Sequence, residues 1–189
     1  MPKADREAAL LACARGLFVA NGYRGTSVAQ VGRASGIAAA AVHWYFPSKD
    51  DLFAAVLEQI FTDVRSEVEA LDSGPRETLT SFLTRTNQYR VLHREAYERM
   101  EESEALRTLY SNMLQWLESQ LMEAVSQELP AGSDATLIAD IAHVLFEGLL
   151  VSVRRHDRPI SELLDLLIGA LVAAVPGTRL VASNPLESG

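Results

Sequence analysis

The sequence predicts an all-α protein, and three observations carry that reading. Apolar residues recur at helical spacing through most of the chain, and β-branched residues never alternate with polar ones over a useful length. A chain of 189 residues, 48% of them hydrophobic, can also bury a sizeable core as one domain or two small ones. Disorder is thereby excluded, and so is a miniature built on disulfides, because the chain has a single cysteine, Cys13. Its spacing from Leu10 and Leu17 places Cys13 on an apolar helix face, as a buried small hydrophobe.

In the first helix Leu10, Cys13, Ala14, Leu17 and Phe18 form one stripe, and Asn21-Gly22 supplies the stop. Ser27 and Gln30 make a capping box, so a second, short helix starts at Ser27 and ends near Ser35-Gly36. A third runs from Ala38 to about Tyr45 and is closed by Pro47. Two short helices joined by a tight glycine turn are the signature of a helix-turn-helix. Ser48 caps the fourth helix, which has two carboxylates in its first turn and continues to about Leu71. Ser73-Gly74-Pro75 is the clearest break; a fifth helix follows from about Arg76 to Leu92, and a sixth spans about Glu95 to Glu101. Leu106, Leu109, Tyr110, Met113, Trp116, Leu117, Leu121 and Val125 trace a long seventh helix that stops before Pro130.

The eighth and ninth helices, Asp134 to about His156 and Ile160 to about Val175, are apolar nearly all round. The economical explanation is a four-helix bundle made with the same two helices of a second copy, through faces carrying Leu145, Leu149, Leu163, Leu167 and Leu171. The expected organisation is about nine helices: a helix-turn-helix domain over 1–49, a larger dimerisation domain over 50–175, which the family resemblance given below makes an effector-binding domain as well, and a loosely ordered tail over 176–189. The apolar run Leu166–Val175 is far short of the roughly 20 residues a membrane span needs, and the N-terminus has no signal-peptide pattern, so a cytoplasmic protein without membrane contact is expected.

The overall charge of -8 by itself argues against a nucleic-acid partner, but its distribution points the other way. Up to Leu52 there are six basic and four acidic residues, against 11 and 21 in the remainder. The first part tolerates a polyanion; the second sheds it.

Phe18, then Gly22-Tyr23-Arg24-Gly25-Thr26-Ser27-Val28, Gly36-Ile37, and Val42-His43-Trp44-Tyr45-Phe46-Pro47-Ser48-Lys49-Asp50-Asp51-Leu52-Phe53 resemble the tetracycline-repressor (TetR) family of bacterial regulators. The motif covers about the first third of the chain. The resemblance implies a homodimer that binds a near-palindromic duplex DNA operator and responds to a small-molecule effector, usually as a repressor. In its terms Ser27 and Ser48 expose helix-start N–H groups near phosphate, Lys49 contacts phosphate, and His43 stands where most members carry a backbone-contacting tyrosine. The third helix would lie in the major groove with Ala39, Ala40, Ala41 and Trp44 against the bases. Alanine touches a thymine methyl but makes no bidentate contact. Specificity would then rest on methyl contacts, on Trp44, on Gln30 and Arg33 of the second helix, or on DNA shape. Phe18, Val31, Ile37, Val42, Phe46 and Leu52 read as the small core shared by these helices.

For the effector, the candidates are Phe82, Tyr89, Tyr97, Met100, Tyr110, Met113, Trp116 and Phe146, with Asn87, Gln88, His93, His143 and Glu147 as orienting polar groups. Asp140, His143 and Glu147 line one face of the eighth helix. A metal there would need further inward carboxylates, and the ninth helix offers only Glu162 and Asp165, so no cofactor or metal is expected. No phosphate loop and no nucleophile–base spacing points to catalysis. The competing reading is a helical small-molecule-binding protein that does not act on DNA, which would need neither Lys49 nor the basic excess of the first 52 residues.

Overall fold

The computed structural model describes residues 3–128 and 158–174, together with Ile138, Ile141, Val144, Phe146 and Gly148. Among these residues the regular structure is helical throughout: α1 (Lys3–Asn21), α2 (Val28–Ser35), α3 (Ala39–Val42), α4 (Lys49–Glu69), α5 (Pro75–Thr86), α6 (Arg90–Tyr97), α7 (Glu104–Ser126) and a last helix, Ile160–Ala174. The expected tail over 176–189 and most of the expected eighth helix lie outside the described residues; the five residues described between 138 and 148 are helical.

Local chemistry fixes the first three helices. α1 ends where Gly22 turns the backbone, and α2 opens on the Ser27–Gln30 box with both reciprocal bonds made. Gly36 adopts a left-handed conformation (φ 70°), which lets the Ile37 N–H reach back to the Gly32 carbonyl at 2.8 Å. Gly32 is needed for a different reason: a Cβ there would meet the Ile37 carbonyl oxygen at 2.6 Å. α3 is shorter than its pattern suggests, with α-helix confined to Ala39–Val42 and turns through His43–Tyr45. Ala38 supplies no side-chain cap, and Pro47 stops the chain a few residues on. The small core is the one expected: Phe18, Val31, Val42, Phe46 and Leu52 are buried and Ile37 is partly buried. Phe18, Tyr23 and Phe53 close it, with ring centroids 4.8–6.2 Å apart. Cys13, expected to be buried, is only half-buried, at the edge of the α1 stripe.

α4 packs against α1, α5 and α7, so one helix serves both cores. Beyond it, the expected fifth helix divides. α5 stops at Thr86, whose hydroxyl turns back to the Phe82 and Leu83 carbonyls, a 3₁₀ turn covers Asn87–Tyr89, and α6 restarts at Arg90. This break resets the helical phase so that Leu92, His93 and Ala96 face inward. The sixth helix accordingly lies at 90–97 rather than at 95–101, and residues 98–102 are turns and coil leading to Ser103, the cap of α7. The last helix packs on α5 and α7, and Arg76 at the start of α5 pairs with Glu128 and Asp165.

Candidate nucleic-acid interface and effector cavity

On the outer side of α2 and α3, Ser27, Arg33, Ala39, Ala40, His43 and Trp44 are exposed, while Gln30 and Ala41 are partly so. Trp44 is 87% exposed, a costly placement for an indole in a free protein, whereas the hydrophobic side chains around it are turned into the core. The capping box occupies Gln30 Oε1 with the Ser27 N–H (2.7 Å), so the carboxamide oxygen is spent on the fold. The first-turn amides of Val28 and Ala29, which lack intrahelical acceptors, remain for an external anion. His43 Nδ1 lies 3.1 Å from the Pro47 carbonyl, which accepts its proton in the Nδ1–H tautomer and points Nε2 away from the chain.

Lys49 has a partner that its place in the sequence did not suggest. Its ammonium sits 3.9 Å from the centroid of the Tyr23 ring, and burial, then the charge of Arg99, lowers its pKa. Tyr23 belongs to a dense polar joint. Its hydroxyl donates to Asp50, its backbone N–H to Glu95 at 2.7 Å, and Arg99 grips Asp50 with two bonds of 2.7 and 2.8 Å while lying over the Tyr23 ring at 4.6 Å. The Arg99 pairing, together with the Tyr23 hydroxyl, outweighs burial and holds the Asp50 carboxyl below the ordinary range. Arg24 adds a bond to Glu98 at 3.2 Å. Tyr23 and Asp50 lie inside the sequence motif, but nothing in the sequence pairs them with Glu95 and Arg99, 49 to 72 residues further along.

Between α4, α5 and α7 lies a half-open cavity of about 150 Å³, lined by Glu58, Phe61, Thr62, Arg65, Phe82, Leu109, Asn112, Met113 and Trp116. Of the sequence candidates, Phe82, Met113 and Trp116 reach it. Tyr110 and Phe146 are instead buried in the core, Tyr89 and Met100 pack on the core's margin, and Tyr97 faces the Tyr110 ring. Asn87 and Gln88 are exposed, and His143 and Glu147 lie outside the described residues. The wall that sequence reasoning missed comes mainly from α4, where Glu58, Thr62 and Arg65 fall at i, i+4 and i+7 on one face. That polar line, running beside the apolar stripe, was the available signal. Arg65 holds Glu69 at 2.8 Å and lies 5.1 Å from the Trp116 ring, so a cation already rests on this wall.

Behind Phe61, His93 is fully buried. Its ring stacks on Phe61 at 5.1 Å, Nδ1 lies 3.1 Å from the Tyr110 hydroxyl, and that hydroxyl donates to the His93 carbonyl at 2.9 Å. Nε2 makes no hydrogen bond of ordinary geometry, and burial, opposed only in part by the Thr86 backbone, pushes the imidazole pKa down to about 4, so His93 is neutral at pH 7. Among the described residues no group of histidine, cysteine and carboxylate side chains is arranged to hold a metal, and no helix is long and apolar enough to cross a membrane.

The profile of the tetR family of bacterial regulatory proteins matches residues 10–56, the span from the middle of α1 into α4 that carries the exposed α2–α3 face. Residues 10–56 thus carry the DNA-binding module of the TetR family. Two curated relatives extend the match beyond the DNA-binding module. The transcriptional regulator BetI of Agrobacterium fabrum is 28% identical over 154 residues, covering 74% of this chain and 72% of that protein. BetI of Rhizobium meliloti is 27% identical over 175 residues, covering 85% and 86%. Solved structures share the fold: a TetR-family regulator from Mesorhizobium loti (17% identity, TM-score 0.63, 93% of this chain and 98% of that one) and FadR of Bacillus subtilis, crystallised with stearoyl-CoA (15%, 0.63, 88% and 97%). The chain thus carries the DNA-binding helix-turn-helix of that family, and beyond it is similar to transcriptional regulators.

Proposed function

We propose that the protein is a homodimeric repressor in the cytoplasm, released from a near-palindromic operator by a small apolar or amphipathic effector. The observation that carries this reading is α4: its first turn belongs to the DNA-binding core and its later turns wall the cavity, so whatever fills the cavity pushes on the element that orients α3. A cavity of this size takes about one aromatic ring, and Phe61, Phe82 and Trp116 provide the apolar faces while Glu58, Thr62, Arg65 and Asn112 orient a polar end.

In a dimer, α3 and its copy need to stand about 34–36 Å apart to enter successive major grooves. The last helix supports the pairing. Leu166 is 65% exposed, and Gly169, Ala170 and Ala173 continue its exposed stripe at i+3, i+4 and i+7. Val144, 67% exposed, adds an apolar side chain from the preceding helical stretch. Of the leucines expected on this face, Leu171 is instead buried within its own chain, Leu163 and Leu167 are half-buried, and Leu145 and Leu149 lie outside the described residues.

The sequence is read through methyl contacts of Ala39–Ala41, through Trp44, through Gln30 and Arg33 of α2, or through DNA shape, while Ser27, His43 and Lys49 face phosphate. The test is binding to duplexes from the DNA flanking the protein's own gene, by fluorescence anisotropy, with and without a ligand found by thermal-shift screening. Lys49→Ala is expected to weaken all duplexes alike, and Trp44→Ala to change the sequence preference. If no duplex binds at low salt, the protein is a small-molecule binder that does not act on DNA. If duplexes bind but every tight ligand leaves their affinity unchanged, the cavity does not control α3.

A further inference from the structure

The stretch 95–102, the end of α6 and the turns after it, touches the DNA-binding module through polar groups. Glu95 accepts the Tyr23 N–H, Glu98 pairs with Arg24, and Arg99 grips Asp50 bidentately. Asp50 adjoins Lys49, and an anion at that place opposes a phosphate in two ways: it repels the phosphate directly and offers the Lys49 ammonium a competing partner. Arg99 removes both effects. Its guanidinium engages both oxygens of a carboxylate whose side chain is only 16% exposed, and the ammonium lies on the Tyr23 ring rather than on Asp50. Resting on a ring leaves ammonium N–H donors directed outward.

From this geometry we infer that Arg99, a residue of the effector domain, is a positioning residue for DNA binding: by neutralising Asp50 it keeps Lys49 free for a phosphate. The inference rests on the reading that Lys49 faces phosphate and adds to it the group that controls this contact. When Arg99 leaves, Asp50 keeps the Tyr23 hydroxyl, draws Lys49 onto itself and restores a bare negative charge beside the DNA backbone. Glu95 does not take over the role of Asp50, because it is held by the Tyr23 N–H. Arg99 also lies 3.4 Å from Glu102, which gives the guanidinium a second carboxylate on its own side of the joint.

The experiment uses the full chain and a mixed-sequence duplex of about 30 base pairs, with affinity followed against salt. Arg99→Gln is expected to weaken binding about tenfold at low salt and to make the slope of log K against log salt shallower by about one. The decisive variant is Asp50→Asn in the Arg99→Gln background, where no carboxylate is left to neutralise; binding and slope return to those of the parent. Asp50→Asn alone binds at least as tightly as the parent. A double variant no better than Arg99→Gln means that Arg99 acts only by holding the domains together, and it overturns the inference. So does an Arg99→Gln variant that binds like the parent. Failure of the parent chain itself to bind the duplex overturns the DNA reading instead, which keeps the two failures apart.

Discussion

The two cores that share α4 are built differently. The first, around Phe18, Tyr23 and Phe53, is made by short helices whose ends are fixed by local devices: the Ser27–Gln30 and Ser48–Asp51 boxes and the left-handed Gly36. The second, around Phe61, Phe82, His93 and Tyr110, is made by long helices meeting at distance in sequence, and it contains a buried polar pair and an open cavity. The module that must present one rigid face to a repeating polymer is locally over-determined. The module that carries the cavity leaves volume unfilled and the buried His93 Nε2 without a hydrogen bond of ordinary geometry.

The largest effect expected from breaking this contrast is on the small core. Phe18 is wholly buried and touches both other rings, so Phe18→Ala removes a packing element that so few residues cannot replace. A loss of about 3–5 kcal/mol is expected, read from urea unfolding. If the two cores are as separate as their construction suggests, tryptophan fluorescence from Trp116 unfolds at a higher urea concentration than the signal of Trp44. A single shared transition at the parent's cooperativity would show that α4 makes them one unit.

The second prediction concerns the second core. His93 is neutral when folded, with its pKa down at about 4 against an ordinary 6.5. A base with a depressed folded pKa contributes stability fully above 6.5. Below that the unfolded chain takes up the proton first, so stability falls as the pH drops towards 4 and levels off below it. The drop from the ordinary value corresponds to about 3 kcal/mol. Asp50, with its pKa also lowered, loses its contribution below the ordinary carboxylate range, so of these two groups His93 acts in the window between 6.5 and 4. His93→Phe is expected to flatten that window in urea titrations at stepped pH, because Tyr110 donates to the residue's carbonyl, which the substitution keeps. A slope equally steep in the variant would assign the acid sensitivity elsewhere.

This contrast also explains what was legible in the sequence. Caps, turn glycines and helix stripes act over a few residues, and they located α1, α2, α4, α7 and the small core. The break at Thr86 was not legible, since residues 76–92 carry an unbroken helical pattern; it follows from the Thr86 hydroxyl turning onto Phe82 and from the need to turn Leu92 and His93 inward. The α4 wall of the cavity was hidden for a related reason: Phe61 looks like any core residue until α5 and α7 are placed against it. The pairing of Arg99 with Asp50 depends wholly on how two helices dock. The exposed position of Trp44, Ala39 and Ala40 was legible because a motif with fixed spacing carries them.

The smallest predicted effect lies within the DNA-binding module, where α2 has a full capping box and α3 has none. Ser27 Oγ accepts the Gln30 N–H at 3.2 Å, and Gln30 returns the bond to the Ser27 N–H at 2.7 Å, so Ser27→Ala leaves one orphan donor of the first turn without its acceptor. The expected loss is about 1 kcal/mol. Ala38, at the corresponding place before α3, has φ -60° and ψ 139°, an extended conformation outside the helix, yet no side chain to offer. Ala38→Ser supplies the missing oxygen to the amides of Ala40 and Ala41 and is expected to stabilise the protein by somewhat less, because Ala41 N–H already reaches the Ala38 carbonyl at 2.8 Å. Urea unfolding of the two single variants reads both signs. If Ala38→Ser gives no gain while Ser27→Ala costs the full amount, the limit on α3 is its four-residue length between Gly36 and Pro47 rather than its missing cap.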